Sequence, residues 1–179
     1  RMLAWSGVAH AGYLLIGIIA SNPDGVASLL FYLAVYLFMN VGAFAVVFIT
    51  EGEEGGSIYR FKGLAKRNPL LAAAMSLFMV SLAGFPPTAG FFGKLYVFIA
   101  AIKHGDILVA VIAVVASIIS VYFYLRIIVL MYFHENETQE TFTVSPGMGA
   151  IVAVSSVAVI LIGFAPSRLM QMALDSIPF

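Results

Sequence analysis

The sequence predicts an all-α, polytopic integral membrane protein, a single transmembrane helical bundle over residues 1–179. Three observations predict it. Sixty-two per cent of residues are hydrophobic and 10% charged, against about a quarter charged in soluble domains. Mean hydropathy is +1.04. Charge-free runs cover residues 25–50, 68–93, 107–125 and 141–167, each near or above the ~20 residues that cross a hydrocarbon core of ~30 Å. These runs are too long and too numerous for the core helices of a soluble domain.

Six apolar helices account for the chain, at approximately residues 2–20, 26–50, 69–84, 87–102, 107–133 and 147–165. Asn22-Pro23-Asp24-Gly25 turns the chain between the first two by ordinary breaker chemistry. A polar connection, residues 51–57, leads into the mixed aromatic and basic segment 58–67, which reads either as an interfacial segment or as a solvated loop. Asn68-Pro69 opens the third helix with a capping residue and a first-turn proline. The loop before the sixth helix holds Asn136-Glu137-Thr138, a glycosylation triplet short enough to arise by chance. Arg1 passes straight into an apolar helix without the regions of a signal peptide, which reads as a piece of a longer polypeptide.

Lys94 is the one charged side chain in the apolar stretch 68–102. A charged side chain at bilayer depth costs at least about 2.5–3.5 kcal/mol, so it survives with partners, with water, or by being neutral part of the time. The last is the behaviour of a proton-relay group. In a helix over 87–102 it stands eighth of sixteen positions, near the membrane midplane. Beside it, Pro86, Pro87, Gly90 and Gly93 are candidates for a helix break, whose freed backbone groups are tolerated beside a polar cavity. The alternative is a tight turn at 84–87 followed by an unbroken helix.

Polar residues recur at helical spacing on other apolar helices: Ser6, His10, Tyr13 and Gly17; Tyr32, Tyr36 and Asn40; Ser117, Ser120 and Tyr124. Such stripes serve a hydrated interior or interhelical packing. His10 stands out because an imidazole titrates near neutral pH. With Tyr122, Tyr124 and Arg126 it is a candidate to extend a relay from Lys94, although Arg126 sits where a long side chain can reach the interface.

Other chemistries lack their residues. Nine basic and nine acidic side chains without a like-charge block give no nucleic-acid footprint. The absence of cysteine excludes thiolate iron–sulfur sites and disulfides in this chain. No paired histidines at metal-ligand spacing, G-x-S-x-G elbow or GxGxxG loop occurs.

Residues 1–13 (Arg-Met-Leu-Ala-Trp-Ser-Gly-Val-Ala-His-Ala-Gly-Tyr), Asn68-Pro69-Leu70, the block 81–94 (Ser-Leu-Ala-Gly-Phe-Pro-Pro-Thr-Ala-Gly-Phe-Phe-Gly-Lys) and Tyr122-Phe123-Tyr124-Leu125-Arg126 resemble the antiporter-like membrane subunits of respiratory complex I. The resemblance is greatest to the N type, which includes mitochondrial ND-two. Lysine rather than glutamate at 94 disfavours the M type, and Tyr-x-Tyr-Leu-Arg favours N over the L type and the cation/proton antiporters. The resemblance implies the last six helices of a fourteen-helix fold, with the lysine matching Lys94 on an interrupted helix within a chain of protonatable groups. It implies proton translocation coupled to quinone reduction, with FMN, iron–sulfur clusters and quinone in partner subunits and no cofactor or metal here. The partners implied are neighbouring antiporter-like subunits and membrane lipids, in a bacterial inner membrane rather than an organellar one. The alternative is a subunit of a multi-subunit cation/proton antiporter. Orientation stays open: Arg1, Arg60, Lys62, Lys66, Arg67, Lys103 and Arg168 fall on one side in a six-span reading, cytoplasmic by the positive-inside rule but outer by the family's topology.

Overall fold

The computed structural model describes residues 1–20, 23–50, 57–135 and 142–177. It is helical throughout, with no strand among the described residues. The elements are α1 (Met2–Ile19), α2 (Pro23–Thr50), a 3-10 turn at Ile58–Phe61, α3 (Leu64–Arg67), α4 (Pro69–Ala83), α5 (Ala89–His104), α6 (Ile107–Phe133), α7 (Pro146–Phe164) and α8 (Pro166–Asp175). Local chemistry explains the boundaries. Asn68 accepts a hydrogen bond from the Leu71 amide at 3.2 Å, with Pro69 at the first turn of α4. Ser145 and Pro146 repeat that pattern on α7. Gly84 and Gly105 stop α4 and α5 with φ of 88° and 102°, a left-handed conformation that glycine adopts without steric cost. Asn22, the 51–56 connection and the Asn136-Glu137-Thr138 triplet lie outside the described residues.

Four helices, α1, α2, α6 and α7, are long and apolar enough to cross a membrane. α4 and α5 have 15 and 16 residues, about 22 and 24 Å at 1.5 Å per residue. Their neighbours on α2 show how they are arranged. Moving along α2 from its C-terminal end, Gly42 faces Phe78 of α4, and the Met39 sulfur accepts from Ser81 at 2.9 Å and lies against Gly90. Next, Tyr32 faces Gly93, Phe31 meets Tyr96 with ring centroids 5.0 Å apart, and Asp24 pairs with Lys103 at 2.8 Å. The partners pass from α4 to α5 in step with α2. α4 and α5 are therefore stacked end to end beside one long helix as two halves of one passage, with the Gly84–Thr88 connector between them.

This arrangement differs from two separate spans at 69–84 and 87–102, and the difference moves charges across the molecule. Lys103 lies at the Asp24 end of α2, opposite Thr50 and Arg60, whose Nε donates to the Thr50 carbonyl. The C-terminal end of α6 returns to the Arg60 side, where the Gly63 amide donates to the Leu130 carbonyl at 3.1 Å and Lys66 pairs with Glu135 at 2.5 Å. The hydrogen bond from Lys66, then its charge, holds the Glu135 carboxyl below its ordinary range. Any stabilisation from this exposed pair is present above the ordinary carboxylate pKa and lost as pH falls through the lowered one, and solvent keeps it small. α7 leaves from that same side, where Arg67 lies over the Phe142 ring, so Arg168, beyond the far end of α7, does not share it.

The core forms around α2, which packs against α1, α4, α5, α7 and α8. Phe31, Val35, Met39, Phe78, Met79 and Met131 are fully enclosed. The outer faces of α1 and α6 remain apolar and exposed.

Candidate functional site

The site begins with the way α4 ends. Gly84 donates its amide to the carbonyls of Val80 and Ser81, and Phe85 donates to Val80. This closing motif satisfies two of the last carbonyls of the helix. It leaves those of Leu82 and Ala83, which would cost free energy if buried without a donor. Lys94 supplies it: Nζ donates to the Leu82 carbonyl at 2.9 Å and to the Ala83 carbonyl at 3.0 Å. The third donor of the ammonium goes to Ser117 Oγ of α6 at 2.8 Å. Lys94 is 4% exposed, so all three of its protons have protein acceptors away from solvent. The negative end of the α4 dipole points at the same place.

Close packing of the two half-helices makes this geometry possible. Gly90 and Gly93, expected as part of the break, are the second and fifth residues of α5 and are helical. A Cβ at Gly90 would overlap the Ser81 carbonyl, and one at Gly93 would overlap the Tyr32 ring. Their role is close approach. Pro86 and Pro87 do lie in the connector, exposed on its outer side, with a cis peptide bond between them.

Beside Lys94 runs a second buried cluster. Tyr32 hydrogen-bonds His10 Nδ1 at 2.6 Å, Tyr124 meets His10 Nε2 at 3.2 Å, and Ser6 Oγ lies 2.5 Å from the Tyr124 hydroxyl. His10 is 1% exposed and Tyr32 fully buried. Tyr36 stacks on His10 with centroids 4.9 Å apart. Both ring nitrogens of His10 are thus engaged by tyrosine hydroxyls on two different helices, α2 and α6, which fixes the plane of the imidazole. Tyr13 lies between the clusters: the Lys94 ammonium stands 5.1 Å over its ring, and its ring meets His10 edge-on at 5.6 Å.

Of the candidates from the sequence, Lys94, His10 and Tyr124 come together, joined by Ser6, Tyr13, Tyr32 and Ser117 from the helical stripes. Tyr122 and Arg126 do not. Tyr122 is 73% exposed and Arg126 is exposed as well. Residues two apart on a helix are turned about 200° from each other, so the side of α6 that carries Tyr124 inward must carry both of these outward. Backbone groups freed by a break beside Lys94 were expected from the sequence, but not which ones, because backbone acceptors leave no side-chain signature. Gly84, which stops α4 short of Lys94, makes them the carbonyls of Leu82 and Ala83.

The arrangement can hold a charge in a low-dielectric interior and pass a proton between hydroxyl and imidazole groups. Among the described residues no group of three or more His, Cys, Asp or Glu could hold a metal. A cavity of about 380 Å³ lies at the Arg1 end, lined by Arg1, Leu3, Thr50, Arg60 and Ile127 among others. It excludes Lys94. However, Leu3 and Ile127 stand one helical turn from Ser6 and Tyr124 on their respective helices, so the cavity ends one turn from the His10 cluster.

Gly93→Ala tests the packing between α5 and Tyr32. The added methyl displaces a fully enclosed ring from His10, and we expect a loss of about 1–3 kcal/mol, typical of overpacking, in unfolding measurements on the purified protein. Gly12→Ala is the control, since nothing lies within 4 Å of its added methyl; it should leave stability unchanged or raise it.

Comparison with known proteins gives a consistent set of matches. Residues 1–120 match the model of the family described as NADH:quinone oxidoreductase/Mrp antiporter, transmembrane. The chain is 44% identical over 180 residues to NADH-quinone oxidoreductase subunit N of Trichlorobacter lovleyi, covering 99% of this chain and 37% of that protein. It is 46% identical over 170 residues to the subunit N of Rhodospirillum rubrum, covering 93% and 35%. The chain thus spans little more than a third of the length of these relatives. Among solved structures, it is similar to a chain of Thermus thermophilus respiratory complex I with bound Aureothin, with a TM-score of 0.84 and 32% identity over 94% of this chain and 38% of that one. A chain of the Mrp complex from Dietzia gives a TM-score of 0.85 at 24% identity, over 96% and 41%, a likeness of fold alone.

Proposed function

Because the chain belongs to the NADH:quinone oxidoreductase/Mrp antiporter membrane family, we propose that it is part of a membrane-arm subunit of NADH:quinone oxidoreductase that carries protons through Lys94. The protein is a multi-pass membrane protein; the proposed setting is a bacterial inner membrane. Proposed partners are neighbouring antiporter-like subunits and membrane lipids. FMN, iron–sulfur clusters and quinone reside in other subunits of the complex, and this chain performs no redox chemistry.

The observation that carries the reading is Lys94 itself, an ammonium buried where one passage is broken and held by the two carbonyls that the break leaves over. A cation at that point is stabilised when protonated by the end of α4 and destabilised by the lack of water. A change of charge in a neighbouring segment shifts that balance and makes the site take up or release its proton. Released protons travel through the His10 cluster to the cavity beyond Ser6 and Tyr124.

The competing assignment is a subunit of a multi-subunit cation/proton antiporter, which the family description also covers. The 44–46% identity to subunit N proteins supports the oxidoreductase. Gentle purification of the full-length protein from native membranes separates the two. Copurification of flavin and iron–sulfur proteins, with proton movement indifferent to sodium, is the expected result; sodium-dependent proton exchange without those proteins would favour the antiporter.

A further inference from the structure

Two hydrogen-bonded clusters lie side by side within the bundle, and among the described residues no hydrogen bond of normal geometry joins them. One holds Lys94, Ser117 and the end of α4. The other holds Tyr32, His10, Tyr124 and Ser6. Tyr13 is the side chain that touches both: its ring lies under the Lys94 ammonium and meets the rings of His10 and Tyr32, the latter at 6.3 Å. Yet its hydroxyl, though buried, has no hydrogen bond of normal geometry among the described residues, although Ser117 stands close enough to interact with it. Tyr13 is 4% exposed. Buried hydroxyls are nearly always satisfied, and one that is not calls for a reason beyond packing. Phenylalanine would fill the same space without leaving a polar atom unpaired.

We propose that the Tyr13 hydroxyl is a proton-carrying switch between Lys94 and His10, open in this structure and closed by a small shift of its ring or of α1. This inference rests on the reading of Lys94 given above.

With the switch closed, the transfer balances. Lys94 gives one ammonium proton to Ser117 Oγ as the Ser117 hydroxyl proton passes to Tyr13. The Tyr13 hydroxyl proton passes through the hydroxyl of Tyr124 or Tyr32 to the imidazole of His10. Lys94 ends as a neutral amine and His10 as an imidazolium, and each hydroxyl ends with one proton. The unpaired hydroxyl explains how the path can be interrupted between transfers. A wire closed at all times would let protons leak back, whereas one missing contact lets motion of α1 decide when the clusters communicate.

The test uses the complete, assembled complex in sealed vesicles, comparing Tyr13→Phe with Lys94→Met. Tyr13→Phe is expected to cut proton translocation tenfold or more while its thermal midpoint stays unchanged or rises. A purely structural tyrosine does not produce that combination. Wild-type pumping by Tyr13→Phe beside an inactive Lys94→Met would overturn the switch and leave the Lys94 reading standing. Wild-type pumping by both would overturn the two together. Should Tyr13→Phe fail to assemble, difluorotyrosine at position 13 keeps the ring and hydroxyl while weakening the phenol's hold on its proton. A displaced pH profile of pumping then supports the switch, and an unchanged profile contradicts it.

Discussion

Alanine at Gly90 is expected to prevent accumulation of the folded protein. The added methyl would overlap the Ser81 carbonyl oxygen and approach the Ser81 carbonyl carbon to 2.8 Å and the Met39 sulfur to 2.9 Å. The Met39 side chain could yield, but the Ser81 backbone belongs to the last turn of α4 and is held by the hydrogen bond from Gly84. α4 and α5 would have to separate. Separation would break the bond from the Gly90 amide to Ser81 Oγ at 3.1 Å and draw Lys94, one turn further along α5, from the Leu82 and Ala83 carbonyls. Overpacking alone costs about 1–3 kcal/mol, and each buried carbonyl without a donor costs a further ~1–3 kcal/mol. We therefore expect destabilisation of about 3 kcal/mol or more, seen as loss of assembled protein in the membrane fraction. Wild-type levels and unfolding behaviour would show that the two half-helices are not in the close contact described.

The membrane class and the apolar runs were legible because hydrocarbon selects length and composition, both of which sequence displays directly. Lys94 was legible because a charge in such a run is costly. The stripe of Ser6, His10 and Tyr13 on α1 and the place of Tyr124 on α6 could be read from helical period alone. The same period, applied to Tyr122 and Arg126, turns both to the opposite side of α6 from Tyr124. An interruption beside Lys94 was legible, but the end-to-end stacking of α4 and α5 along α2 was not. Hydropathy measures how long each run is, but the route of the chain depends on contacts such as Asp24 with Lys103, residues 79 positions apart in sequence. Which backbone carbonyls hold Lys94 was hidden for a related reason, since they stand at positions occupied by leucine and alanine.

Lys94→Met is expected to abolish proton translocation in an assembled complex of nearly normal stability. Two effects on stability oppose each other. Methionine removes the cost of a cation in the membrane interior, at least about 2.5–3.5 kcal/mol, and leaves the Leu82 and Ala83 carbonyls without donors at ~1–3 kcal/mol apiece. Methionine also fills similar space with an adaptable chain, so cavity formation adds little. A structural lysine would tolerate this exchange without loss of transport, whereas a proton carrier cannot, because a thioether has no exchangeable proton.

The most direct measurement records proton uptake and NADH oxidation side by side in vesicles carrying the full-length protein with Lys94→Met, after its assembly has been verified. The account predicts that both rates fall at least tenfold; undiminished rates with a normal ratio of protons to NADH would contradict it and return Lys94 to the role of a buried structural cation.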